Sequence, residues 1–253
     1  MTSRLRQRSL YFITPSVGSR ISAKELVAVV QDAIRGGADL IQWRQKPSKA
    51  DLAELPELRQ QWEQQHADSF LLPIAQEIRA FTKKYDVPFI VNDSVALALQ
   101  LDADGVHIGQ TDSAMDDVRA KVREASRHLD DFIIGVTVRD GTQARAACAG
   151  GAAYLGAGPV FTSSTKPEAN DGRTIGIAGL QDCSTTARAF GVPVYAIGGL
   201  SVENGRIRRC VAEGGASGVS MIAAIADAKD KAAAARAIKE ELLAAAAHAQ
   251  ATK

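Results

Sequence analysis

Short apolar runs alternate with amphipathic stretches along the chain. The β-prone runs fall at residues 10–14 (Leu-Tyr-Phe-Ile-Thr), 40–43, 89–91, 105–108, 132–136, 154–158, 193–197 and 218–221. Helical spacing fills the gaps. The stretch 23–35 carries Leu26, Val29, Val30 and Ala33 on one face and stops at Gly36-Gly37. Residues 95–99 suit a short crossover helix, 142–149 end at Gly150-Gly151, and an Ala-rich helix is expected over 229–247. Eight strand–helix units without a hairpin signal predict a parallel α/β sheet, which closes most simply as a (β/α)8 TIM barrel. A doubly wound open sheet is the other arrangement, but no Gly-x-Gly-x-x-Gly follows the first strand. Gly-Gly-Ala phrases at 36–38, 150–152 and 214–216 each join a glycine helix stop to the next strand, as αβ loops require.

One crossover is too long. Between Lys46 and Pro88 two helical patterns appear, over 52–66 and 72–85, with a break expected at 66–69. The plain reading is an enlarged second crossover with a helical insertion within 47–87. A lid or an oligomer contact anchored by Trp62 is the alternative.

Length and composition fit one barrel spanning 1–253: 46% hydrophobic and 23% charged residues describe a globular chain with a large core. Thirty basic against 29 acidic residues give a net charge of +1, so no bulk field favours nucleic acid or a membrane surface. Cys148, Cys183 and Cys210 have neither metal spacing nor an even count, which points to a reducing, cytoplasmic setting. No stretch has the length and apolarity of a membrane span, and the basic start lacks a signal-peptide core. The expected partners are small molecules, with a homo-oligomer possible.

The candidate chemistry lies just past the strand ends, where βα loops build the site of a barrel. Strands three and four are joined by about a dozen residues, so they run parallel, about 4.8 Å apart as neighbours. Asp93 and Asp112 then emerge at the same end, with Asn92 beside them. Two carboxylates and an amide oxygen suit a hard cation such as Mg²⁺. Asp is also a good N-cap, so spacing alone leaves metal and cap readings both open. After strand two, alternation puts Gln42, Arg44 and Lys46 on one side. A guanidinium fork and an ammonium there suit a diphosphate. After strand six, Ser163, Ser164, Thr165 and Lys166 offer an oxyanion cradle. After strands seven and eight, Gly198-Gly199 and residues 219–223 suit a phosphate held by backbone N–H groups. Two anion sites are therefore indicated. One is cationic with a metal, and the other is mostly N–H and hydroxyl.

These phrases together resemble the thiamine-phosphate synthase family over about residues 10–243. The family's Gln-Leu-Arg-Glu-Lys is met by Gln42-Trp43-Arg44-Gln45-Lys46, its Ile-Asn-Asp by Val91-Asn92-Asp93, and its Asp-Gly-Val-His-Leu-Gly-Gln-x-Asp by residues 104–112. Its Gly-Val-Ser becomes Gly135-Val136-Thr137, and its Thr-x-Thr-Lys becomes Ser163-Ser164-Thr165-Lys166. Gly198-Gly199-Leu200 and residues 219–223 meet the remaining phrases.

The resemblance implies a transferase that joins a 4-amino-2-methyl-5-(diphosphooxymethyl)pyrimidine to a thiazole phosphate, releasing diphosphate. It implies that Asp93 and Asp112 bind Mg²⁺, and that Gln42, Arg44, Lys46, Asn92 and Lys166 contact the pyrimidine diphosphate. Trp43 and Gln45 of the same phrase are counted with them. Thr137 faces the pyrimidine. Ser163, Ser164 and Thr165, with Gly199, Ile222 and Ala223, hold the thiazole phosphate. Arg44, Lys46, Lys166 and Thr137 carry the catalysis, which is electrostatic, without a protein nucleophile. His107 reads as a core residue or as one supporting the site. The chain departs from the family at Gln45 (Glu), Ser94 (Arg), and Ser163 and Ala223 (hydroxyl residues). A thiazole tautomerase of the same fold and a non-catalytic barrel binding thiamine intermediates are the other readings.

Overall fold

The computed structural model describes residues 5, 9–18, 21–46, 52, 53, 56, 59, 60, 67–110, 114–162 and 174–251. In chain order these form β1 (Ser9–Ile13), α1 (Ala23–Arg35), β2 (Leu40–Trp43), α2 (Ala67–Lys84), β3 (Phe89–Asn92) and α3 (Val95–Gln100). There follow β4 (Gly105–Ile108), α4 (Met115–Glu124), a 3₁₀ turn, β5 (Ile133–Val138), α5 (Gly141–Ala149), β6 (Tyr154–Ala157) and α6 (Gly176–Arg188). The chain closes with β7 (Val194–Ile197), α7 (Arg206–Ala212), β8 (Gly218–Met221), α8 (Ala223–Ala226) and α9 (Lys231–Ala251). The strands pair in sequence order, all parallel, and β8 returns to β1 to close the barrel.

The strands are apolar runs because both of their faces are buried. One set of positions, including Phe12, Ile41, Val91, Val106, Leu155 and Val219, packs with helix residues such as Leu26, Val30, Ile78 and Ile238. The alternate positions, Tyr11, Leu40, Ile90, Ile133, Tyr154 and Tyr195, fill the barrel interior as a second cluster. The helices are fixed to this frame by polar ties as well as by apolar faces. Ser22 and Glu25 form a reciprocal capping box at the start of α1. Asp104 accepts from Arg79 of α2 and from the Phe89 N–H, both at 2.8 Å. Asp39 accepts from the Leu10 N–H and pairs with Lys239 of α9.

Two boundaries differ from the sequence expectation. Helix α2 begins at Ala67 rather than near 72, so the break expected at 66–69 is helical from Ala67 on, with Pro73 inside the helix. The preceding 52–66 pattern, with Trp62, lies mostly outside the described residues. Strand β5 runs to Val138 instead of stopping at Val136, which places Thr137 within the strand. Among the described residues no helix is long and apolar enough to cross a membrane.

Candidate active site

At the C-terminal mouth of the barrel, the loop after β1 holds the segment that follows β2. The Thr14 hydroxyl accepts from the Arg44 N–H at 2.9 Å and donates to the Arg44 carbonyl at 3.1 Å. Ser16 Oγ accepts from the Lys46 N–H at 2.8 Å. Thr14 is fully buried, so these bonds are made out of water and set the course of residues 44–46. From that course Lys46 reaches across to form an ion pair with Asp93 at the end of β3. Arg44 is half-buried beside them. Desolvation lowers its pKa, and the Asp93 carboxylate opposes that shift. Arg44, Lys46 and Asp93 thus form one charged group spanning two adjacent loops. Asp93 sits at φ 62, a left-handed conformation uncommon outside glycine, with its N–H bonded to the His107 carbonyl.

The cap reading of Asp93 falls here. The N-cap of α3 is Ser94, whose hydroxyl accepts from the Leu97 N–H. The cap position of α4 is Ala114, without a side-chain bond. Asp112 lies outside the described residues.

Beneath the mouth, the interior is polar. Gln42 Nε2 donates to the Tyr11 hydroxyl at 2.6 Å, and the Tyr11 and Tyr154 hydroxyls meet at 2.7 Å. Tyr154 meets His107 Nδ1 at 3.0 Å, and His107 Nε2 meets Thr137 Oγ1 at 2.8 Å. This chain runs from β2 to β5 through the centre of the barrel. Burial raises the pKa values of Tyr11 and Tyr154 well above the ordinary tyrosine range, so both stay protonated. Gly135 makes the arrangement possible, because a Cβ there would lie 2.0 Å from Tyr154 Cζ. From the β4 end, Gln110 donates to the Thr137 carbonyl at 2.5 Å.

On the other side, the β6 loop folds over the β7 loop. The Val160 N–H donates to the Ile197 carbonyl at 2.8 Å. Gly198 and Gly199 have φ of 106° and 67°, and a Cβ on Gly199 would lie 2.4 Å from the Thr162 carbonyl. The Gly199 carbonyl accepts from Arg206 at 2.8 Å and from Asn204 at 3.1 Å. The Arg206 guanidinium also stacks over Phe161, 4.6 Å from the ring centroid. Ile222 and Ala223 are half-buried at the start of α8. Ser163, Ser164, Thr165 and Lys166 lie outside the described residues.

A family model described as thiamine monophosphate synthase matches residues 10–225. A thiamine-phosphate synthase of Bacillus cereus is 39% identical over 221 residues, 87% of this chain and 84% of that protein. One from Bacillus licheniformis is 38% identical over 92% of this chain and 90% of its own length. The chain belongs to the thiamine monophosphate synthase family. A solved thiamine phosphate pyrophosphorylase from Pyrococcus furiosus superposes with a TM-score of 0.69 at 29% identity, covering 96% of this chain and 98% of that one.

Within the thiamine monophosphate synthase family phrase at 42–46, alternation divides the five residues. Gln42 points into the barrel, and Arg44 and Lys46 stand at the mouth. Two residues expected to contact substrate face elsewhere in this structure. Trp43 is buried with the helix-facing core, because its neighbours in the strand take the inner face. Gln45 faces the β1 loop instead. Its Oε1 accepts from the Val17 N–H at 2.8 Å and its Nε2 donates to the Pro15 carbonyl at 3.1 Å. The second bond needs an amide, since a carboxylate has no proton to give the carbonyl. That accounts for glutamine where the family pattern has glutamate. Asn92 is half-buried at the end of β3 and Thr137 half-buried at the upper end of the interior chain, both at the mouth. Sequence reasoning did not find Tyr11, Tyr154, Asn204 or Arg206. The signal for Asn204 and Arg206 was their place five and seven residues after Gly199, opening a helix beside an anion loop.

Proposed function

We propose that this chain catalyses the family condensation in thiamine biosynthesis: the pyrimidine methylene C–O bond breaks, the thiazole nitrogen bonds to that carbon, and diphosphate leaves. The observation that carries this is the convergence of Arg44, Lys46 and Asp93 at one end of the barrel. A site for a neutral or singly charged ligand has no need of two cations and an acid on adjacent loops.

In this reading Arg44 offers its planar fork to the diphosphate oxygens and Lys46 a compact charge. Both stabilise negative charge that grows as the C–O bond breaks, and Lys166 adds to it from the β6 loop. Desolvation of Arg44 strengthens the attraction for an anion. Asn92 and Gln42 line the same side, and Thr137 meets the pyrimidine. Gly199, clamped by Asn204 and Arg206, presents backbone to the thiazole phosphate with Ser163, Ser164, Thr165, Ile222 and Ala223.

The donor chemistry at the strand ends fits Mg²⁺: Asp93 and Asn92 offer hard oxygens, Asp112 completes the expected set, and the diphosphate supplies the rest. Bound there, the ion would neutralise the leaving diphosphate as a Lewis acid. Asp93 is held at the mouth by its ion pair with Lys46. The three cysteines are buried and free, consistent with work in the cytoplasm.

The test is to mix the pyrimidine diphosphate and thiazole phosphate with Mg²⁺ and this protein. Thiamine phosphate and diphosphate should appear in equal amounts. Binding of the thiazole phosphate without any product would instead identify a tautomerase or a silent barrel.

A further inference from the structure

The interior chain has a direction. Gln42 presents an amide N–H₂ to Tyr11, and an amide nitrogen only donates. Tyr11 therefore accepts from Gln42 and has its own proton left. Its other hydroxyl contact is Tyr154, so Tyr11 donates to Tyr154. Tyr154, accepting there, turns its proton toward His107 Nδ1. A neutral imidazole that accepts at Nδ1 carries its proton on Nε2, and Nε2 faces Thr137 Oγ1. Thr137 then accepts from His107, which leaves its hydroxyl proton to point onward. The opposite sense requires the Gln42 carbonyl at Tyr11, and every proton in the chain would reverse with it.

We infer that Gln42, Tyr11, Tyr154 and His107 are positioning residues that make Thr137 a hydrogen-bond donor toward the substrate. Resting on the condensation reading above, this assigns Thr137 to an acceptor ring nitrogen of the aminopyrimidine and not to its amino group. The burial of all four residues supports it, because water does not reach in to satisfy a mismatched hydroxyl. Gln42 thereby acts on the substrate from a distance, through Tyr11, Tyr154 and His107 to Thr137 on β5.

The chain is tested on ligand-free protein by ¹⁵N NMR of the His107 ring. A neutral ring protonated at Nε2 is expected, and a protonated Nδ1 overturns the inference. Gln42→Glu replaces the donor by an acceptor and should move the proton to Nδ1. An unmoved proton in that folded variant also overturns it. In turnover, Tyr154→Phe should raise KM for the pyrimidine diphosphate roughly tenfold, the size of one lost neutral hydrogen bond, and leave KM for the thiazole phosphate unchanged. Equal changes in both KM values would show general damage and count against positioning. Failure to form thiamine phosphate by the unaltered protein would remove the condensation reading, while the NMR result would still decide the chain's direction.

Discussion

Lys46, after β2, is ion-paired with Asp93, after β3, and the pair joins the two loops expected to share a diphosphate. Asp93→Ala should therefore lower turnover by roughly 10²–10³, the usual effect of removing one preorganised charge interaction from a transition state. The remaining activity should respond weakly to Mg²⁺ in a steady-state titration. A Mg²⁺ dependence identical to that of the unaltered protein would sink the role given to Asp93.

Capping separates the neighbouring residue from this role. Ser94→Ala removes the N-cap bond of α3 and should cost about 1 kcal/mol in urea unfolding. KM for both substrates should hardly move. Loss of activity without loss of stability would place Ser94 in the site, contrary to its bond with Leu97.

The β7 loop admits no side chain. Gly199→Ala imposes φ of 67° on a residue with a Cβ and drives that Cβ to within 2.4 Å of the Thr162 carbonyl. Strain of about 1–3 kcal/mol should appear as a lower midpoint in thermal unfolding. KM for the thiazole phosphate should rise more than KM for the pyrimidine diphosphate.

Alkaline pH should unfold the barrel from within. Burial pushes the pKa of Tyr195 from 10.0 up to about 12, so the folded state keeps a proton that the unfolded chain loses. Its stabilisation is complete below pH 10 and is lost as pH climbs toward 12. Urea midpoints should fall across that window, and Tyr195→Phe should make the fall shallower. A parallel pH curve in the variant would deny Tyr195 its share.

Much of this was legible in residue order. The apolar runs marked every strand because barrel strands are buried on both faces, and glycine pairs marked where helices stop. Arg44, Lys46 and Asp93 could be brought together because consecutive parallel strands are neighbours and their ends share one mouth. The same double burial hid the interior. Tyr11 and Tyr154 read as apolar strand residues, and periodicity does not say which face is the inside of a barrel. Trp43 was counted with Gln42 because one family phrase holds both, although the two point in opposite directions. Asp93 and Ser94 are both good caps, and only backbone geometry shows that the serine caps and the aspartate is left for the mouth. Helix α2 was found but begun late, since residues 66–69 read as a break yet are helical from Ala67 on.

Gly135 and Tyr154 fit one another as a socket fits a plug, and so they must be inherited as a pair. A lineage that acquired alanine at position 135 would have to shrink the ring at 154 before or with it. Doing so would cut the link between Gln42 and Thr137. Relatives with a larger residue at the first position should therefore lack a hydroxyl at the second, and should recognise their pyrimidine with some other donor.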